Sequence, residues 1–132
     1  MGGFGVWQWA LTHPDRFSTL VPVAGSGLKP GPFAIRGDLC ALRQLAIWIV
    51  HGAADMHVSV EGADECAERL AACGAAYRFT RYQDADHGKT CNRAYSDPEL
   101  YSWMVQHVRG TASRNPAEHG AAGDVRPGIV PE

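Results

Sequence analysis

The chain has 132 residues and lacks most of the features that would settle its class at a glance. No charge of one sign dominates: 12 Lys and Arg stand against 14 Asp and Glu, for a net charge of −2. A near-neutral chain has no electrostatic footprint for nucleic acid, so that partner class is set aside. No apolar run approaches the ~20 residues that a membrane-spanning helix needs. The N-terminus has no basic region followed by a long apolar one, so no signal peptide is visible and the sequence as it stands reads as cytoplasmic. A secretion signal upstream of Met1 would make it a secreted protein, so localisation is left open.

Cysteine is sparse, and its spacing is uninformative for metals. None of Cys40, Cys66, Cys73 and Cys91 falls in a C-x-x-C pair, which excludes a zinc knuckle and a thioredoxin-like motif. Cys66 and Cys73 lie two turns apart on one expected helix, about 10 Å at about 1.5 Å per residue. That is too far for a disulfide. The four read as reduced thiols serving as small apolar residues. His51, Asp55, His57 and His87 carry zinc-competent groups, but no H-E-x-x-H or similar spacing connects them. No metal or other cofactor is called for. There is no internal repeat.

What is present is centred on Ile47-Trp48-Ile49-Val50-His51-Gly52-Ala53-Ala54-Asp55. Four apolar residues run into a His-Gly turn, and an aspartate stands three residues past the glycine. Such a run reads as a strand buried on both faces, as in parallel sheets. Chemistry in open parallel sheets sits just outside the carboxyl ends of the strands. Asp55 is placed there. A second charged turn, Asp86-His87-Gly88, follows another strand-like run, with His87 falling 32 residues after Asp55. An acid and a histidine on successive strand ends are the last two members of a Ser-His-Asp type triad.

The rest of the chain follows in order. Residues 2–12 have helical periodicity, with Phe4, Trp7 and Leu11 on one face and Pro14 ending the segment at His13. Trp7 and Trp9 cannot both face one core. Gly2, Gly3 and Gly5 are costly in a helix, about 1 kcal/mol each against alanine. They fit where something approaches the backbone closely. Residues 17–24 read as a strand with Leu20, Val21 and Val23 as its core. Residues 25–32 form a Gly/Pro loop, and 36–43 a short helical turn. Residues 46–50 are the central strand. Residues 59–73 form a helix capped by Ser59 and stopped by Gly74. Residues 77–82 form a strand, and 83–93 a loop carrying His87. A last helix starts at Asp97-Pro98 and buries Leu100, Trp103, Met104 and Val108, with Gly110 ending it. Residues 1–110 make one domain, and the composition of 111–132 reads as a disordered tail. Strands alternating with helices imply a three-layer α/β sandwich with about three parallel strands. Its N-terminal-side edge strand lacks a neighbour. The sheet looks like part of a larger one, and its open edge invites self-association.

Three pieces of the chain, spread over about residues 1–109, resemble the α/β-hydrolase family. The likeness is to bacterial esterases, phospholipase/carboxylesterases and prolyl-oligopeptidase-like peptidases. Met1-Gly2-Gly3-Phe4-Gly5, followed by a helix and His13-Pro14-Asp15-Arg16-Phe17, resembles the segment after the nucleophile in G-x-S-M-G-G. Val50-His51-Gly52-Ala53-Ala54-Asp55 with Val58 resembles the acid turn. Tyr82 to Gly88, then residues 94–103, resemble the histidine turn and last helix.

The resemblance implies a serine hydrolase by descent, acting on a small-molecule carboxylic ester or related acyl bond. Asp55 is then the acid and His87 the general base. Gly2 and Gly3 are elbow glycines, and the Met1 amide belongs to the oxyanion hole. The serine of G-x-S-x-G is not in the chain and would fall immediately before Met1. A base and its orienter without a nucleophile have little to accelerate, so the chain alone is expected to be catalytically silent. His51 is expected to be a structural hydrogen-bonding residue and His57 an exposed one. Cys91, four residues after His87, lies on the wrong segment to replace the serine. Three alternatives stay open. One is a peptidase, phospholipase or polyester depolymerase of the same fold. The second is a non-catalytic interaction module, and the third a truncated reading frame.

Overall fold

The central strand forms because its alternate residues have two cores to enter. In the computed structural model, which describes residues 1–108, this strand is β2 (Ala46–Gly52), and all seven of its residues are buried. Ile47 and Ile49 point into one apolar cluster with Trp7, Leu70 and Phe79. Trp48 and Val50 point into the other, with Leu100 and Trp103. Successive strand side chains alternate between faces, so an unbroken apolar run is what a doubly covered strand requires.

Around it the order is α1 (Gly2–Thr12), a 3-10 turn (Pro14–Arg16), β1 (Thr19–Leu20), a second 3-10 turn (Leu39–Leu42), β2, α2 (Glu61–Ala72), β3 (Tyr77–Tyr82), α3 (His87–Ser96) and α4 (Pro98–Gln106). The three strands form one parallel sheet in the order β1-β2-β3. Ile47 is in register with Tyr77, and Gly52 with Tyr82. Trp7 and Ala10 of α1 and Ala63, Ala67 and Leu70 of α2 join the first cluster. Ala94 of α3 and Leu100 and Trp103 of α4 join the second. The expected three-layer α/β architecture with a parallel sheet is the one observed.

Several local expectations are revised. The strand expected over 17–24 is two residues long, continued after an interruption by a bridge between Val23 and Val50. Pro22 explains the break, because it has no N–H to donate. Its carbonyl still accepts from Val50 N–H (3.1 Å), and Ala24 N–H donates back to Val50 O (2.9 Å). The loop expected over 83–93 is in large part helix: α3 begins at His87, capped by Asp86, whose Oδ1 accepts from Lys89 N–H at 2.8 Å. In α4 only Leu100 and Trp103 are buried; Met104 is exposed, and Val108, also exposed, lies beyond the end of the helix. The boundary at 110 and the tail 111–132 lie outside the described residues.

The cysteine expectation is also overturned in part. Cys40 and Cys73 form a disulfide, with Cα atoms 5.9 Å apart, tying the second 3-10 turn to the C-terminal end of α2. Sequence spacing tested only the 66–73 pair, while the partner of Cys73 lay 33 residues back on another element. Cys66 and Cys91 are free, and Cys66 is buried in the first core.

The glycines at the start of α1 divide by role. A Cβ on Gly3 would come within 2.7 Å of Gly25 Cα. That is closer than a side chain tolerates, so Gly3 lets α1 sit directly against the chain leaving β1. Gly2 and Gly5 meet nothing within 4 Å, so close approach explains only Gly3. Ala24, just before Gly25, has φ +49°. This left-handed conformation costs a non-glycine residue about 1–2 kcal/mol, and it turns the chain under the start of α1.

Candidate functional site

Asp55 is fixed by the turn that follows β2. Its N–H donates to Gly52 O (3.3 Å). Its carboxylate is then gripped by the backbone ahead: Oδ1 accepts from His57 N–H (2.8 Å) and Val58 N–H (2.9 Å). Two further bonds join this turn to the segment that carries His87. Ala53 N–H donates to Tyr82 O (2.8 Å) and Ala54 N–H to Ala85 O (3.1 Å). Gly52 permits that join, because a Cβ there would collide with Ala85 O and Thr90 Oγ1. On the other side Thr90 Oγ1–H donates to Asp86 O at 2.7 Å, holding the first turn of α3.

The result is an acid and a histidine at hydrogen-bond distance. His87 Nδ1 lies 2.7 Å from Asp55 Oδ2. The Asp55 side chain is fully buried, whereas the His87 side chain is 34% exposed. Burial alone would raise the Asp55 carboxyl. The hydrogen bonds from Val58 N–H, His87 and His57 N–H outweigh burial and hold it below the ordinary aspartate range. A carboxylate that stays ionised takes the Nδ1–H of a neutral imidazole and leaves Nε2 as a lone-pair base. Among the described residues Nε2 of His87 has no hydrogen-bond partner. The pair can therefore accept a proton at Nε2 and stabilise the resulting imidazolium through Asp55.

His51 stands behind the acid. It is fully buried, with Nε2 2.9 Å from Val58 O and 3.6 Å from Asp55 Oδ2. Burial lowers its pKa, against the Val58 hydrogen bond and the Asp55 charge, which raise it. His51 is therefore neutral near pH 7, with Nε2–H donating to Val58 O. That bond pins the residue whose own N–H holds Asp55, the structural hydrogen-bonding role expected of it. His57 is exposed, as expected, but its ring stands edge-on to His87 with centroids 5.8 Å apart. No local pattern in the sequence signals that contact.

Met1 is the N-cap of α1, its carbonyl accepting from Gly5 N–H at 3.1 Å, and it is 80% exposed. Gly2 and Gly3 open the same helix. Cys91 lies one turn beyond His87, partly buried, and burial together with the Asp55 charge raises its thiol pKa, the wrong direction for a nucleophile. Trp7 is buried, its Nε1–H donating to Ser26 Oγ (2.9 Å), while Trp9 is exposed and covers Phe17 edge-on. Among the described residues no group of three or more His, Cys, Asp or Glu is arranged to hold a metal. Among them, too, no helix is long and apolar enough to cross a membrane.

Known structures supply the comparison. A solved structure described as a thermostable esterase superposes with a TM-score of 0.68 at 24% identity, covering 82% of this chain. The fold is esterase-like. The chain spans 29% of the length of that esterase. No family model and no curated protein sequence matches.

Proposed function

We propose that the chain carries the acid and base of a serine hydrolase acting on a carboxylic ester. Asp55 is the acid, and His87 the general base. The single observation that carries this reading is the 2.7 Å contact between His87 Nδ1 and Asp55 Oδ2, with the acid buried and the base open. In this mechanism His87 Nε2 takes the proton of a serine hydroxyl as that oxygen attacks the ester carbonyl. It then returns the proton to the leaving alkoxide. Asp55 keeps Nδ1 protonated and stabilises the imidazolium between the two transfers. The serine belongs to a segment preceding Met1, and the Met1 amide joins the oxyanion hole. Gly3 allows α1 to start there, against Gly25.

The test is hydrolysis of an activated aryl ester by the 132-residue chain and by the reading frame extended upstream of the Met1 codon. The extended protein turns over, and Asp55→Asn lowers the rate steeply. The short chain alone is silent. Turnover by the short chain, abolished by Asp55→Asn, would show that the nucleophile lies within it and overturn the missing-serine assignment.

A second reading, a non-catalytic module, rests on two open surfaces. Among the described residues no strand pairs with the outer edge of β1, and α4 exposes Val105 at 76%. Concentration-dependent sedimentation together with no reaction with a fluorophosphonate probe would favour it.

A further inference from the structure

Beside the acid turn, a pocket of about 250 Å³ opens at the carboxyl ends of β1 and β2. Its walls are Phe4 on the first turn of α1, Gly27, Phe33 and Ala34 from the β1–β2 connection, Val58 from the acid turn, and Gly62 at the start of α2. Val58 is shared with the dyad, since its N–H holds Asp55 Oδ1. The pocket and the acid turn therefore have one wall in common.

The pocket is built before any ligand arrives. Gln8 of α1 clamps the end of the connection twice, donating to Arg36 O (3.1 Å) and accepting from Arg36 N–H (2.9 Å). Ile35 N–H closes the loop on Gly27 O (2.9 Å). Gly62 lets α2 lie against Ser26 O, where a Cβ would collide. On this fixed frame Phe33 is held half-exposed, its ring 5.9 Å from that of Phe4. An aromatic face left open over an apolar hollow gains from being covered.

The rim is charged. Lys29 Nζ lies 3.7 Å from Glu61 and 3.4 Å from Glu65. One cation against two carboxylates leaves the rim net negative. Such a rim admits a neutral group and repels a carboxylate.

Building on the hydrolase reading, we propose that this pocket binds the uncharged apolar moiety of an ester and rejects the corresponding free acid. At interior packing density the volume holds on the order of ten non-hydrogen atoms, the size of an aryl or short branched alkyl group. The product carboxylate is then expelled by the rim that admitted its ester.

The experiment is an amide NMR titration of the 132-residue chain with ethyl benzoate and, separately, with sodium benzoate. Ethyl benzoate gives saturable shifts at Phe33, Ala34, Val58 and Gly62, and benzoate binds at least tenfold more weakly. Ala34→Leu, which fills the hollow, weakens ester binding tenfold or more. Phe33→Ala, at a half-exposed position the core does not need, weakens it several-fold. Shifts elsewhere on the surface, equal binding of the acid, or indifference to both substitutions overturns the pocket assignment. Fluorophosphonate labelling of the upstream-extended protein reports on the hydrolase reading separately. Labelling without pocket binding overturns the pocket alone. Pocket binding without labelling overturns the hydrolase reading and, with it, the role of the bound group as substrate.

Discussion

His87 Nδ1 lies 2.7 Å from Asp55 Oδ2, two residues 32 positions apart brought together at adjacent strand ends. The turn after β2 and the segment after β3 are cross-linked by backbone bonds from Ala53 to Tyr82 and from Ala54 to Ala85. The contact is therefore set by main-chain geometry rather than by two free side chains. It follows that neutral His87 carries its proton on Nδ1. Imidazole 15N shifts check this: Asp55→Asn removes the charged acceptor, and the Nδ1-protonated form loses its dominance. In the extended protein the same substitution lowers kcat on the order of 10⁴-fold, the loss seen when a triad acid is neutralised.

The acid turn makes stability depend on pH in two windows. Asp55 is held below its ordinary 3.8, so its stabilising contribution is complete above that value and is lost as pH falls through the lowered one. His51 is buried neutral with its pKa below the ordinary 6.5. Below pH 6.5 the unfolded chain takes up a proton that the folded chain refuses, so stability declines from there toward the lowered value. Urea denaturation across this range checks the sign. His51→Asn flattens the upper window and leaves the acid limb in place.

The disulfide predicts a stability loss on reduction. Cys40 and Cys73 close a loop of 33 residues. Chain entropy for such a loop gives about 3–4 kcal/mol. Cys40→Ser with Cys73→Ser lowers the urea midpoint accordingly, and reductant has the same effect on the parent chain but none on the double variant. A disulfide of this kind persists in an oxidising compartment.

Gly3 predicts a backbone clash. A methyl there meets Gly25 Cα at 2.7 Å, and a backbone neighbour cannot rotate away. Gly3→Ala destabilises by about 1–3 kcal/mol through overpacking. Gly5→Ala, where a Cβ meets nothing within 4 Å, is neutral or stabilising. Thermal unfolding of the two variants separates close approach from helix propensity as the reason for each glycine.

These contacts also mark what the sequence makes legible. The apolar run 46–50 announced a doubly buried strand because its composition admits no other environment. The turn after it placed Asp55. The spacing of strand-like runs put His87 at the neighbouring strand end. The sequence did not reveal that His87 opens a helix. Gly88, Lys89 and Asn92 obscure the periodicity of that segment, although Asp86 at the N-cap was a usable signal. Pairing of Cys40 with Cys73 depends on how the second 3-10 turn packs on α2, a tertiary fact with no local trace. The pocket under Phe33 was hidden for the same reason. Its walls come from four separate segments, and only the fold brings Phe4 beside Val58.

On the proposed reading Asp55 and His87 serve a nucleophilic serine. Fluorophosphonate labelling of the reading frame extended upstream of the Met1 codon tests it most directly, with labelled peptides identified by mass spectrometry. One labelled serine is expected, at the residue before Met1, with labelling lost in His87→Ala and slowed in Asp55→Asn. No labelling, or labelling indifferent to both substitutions, would contradict it.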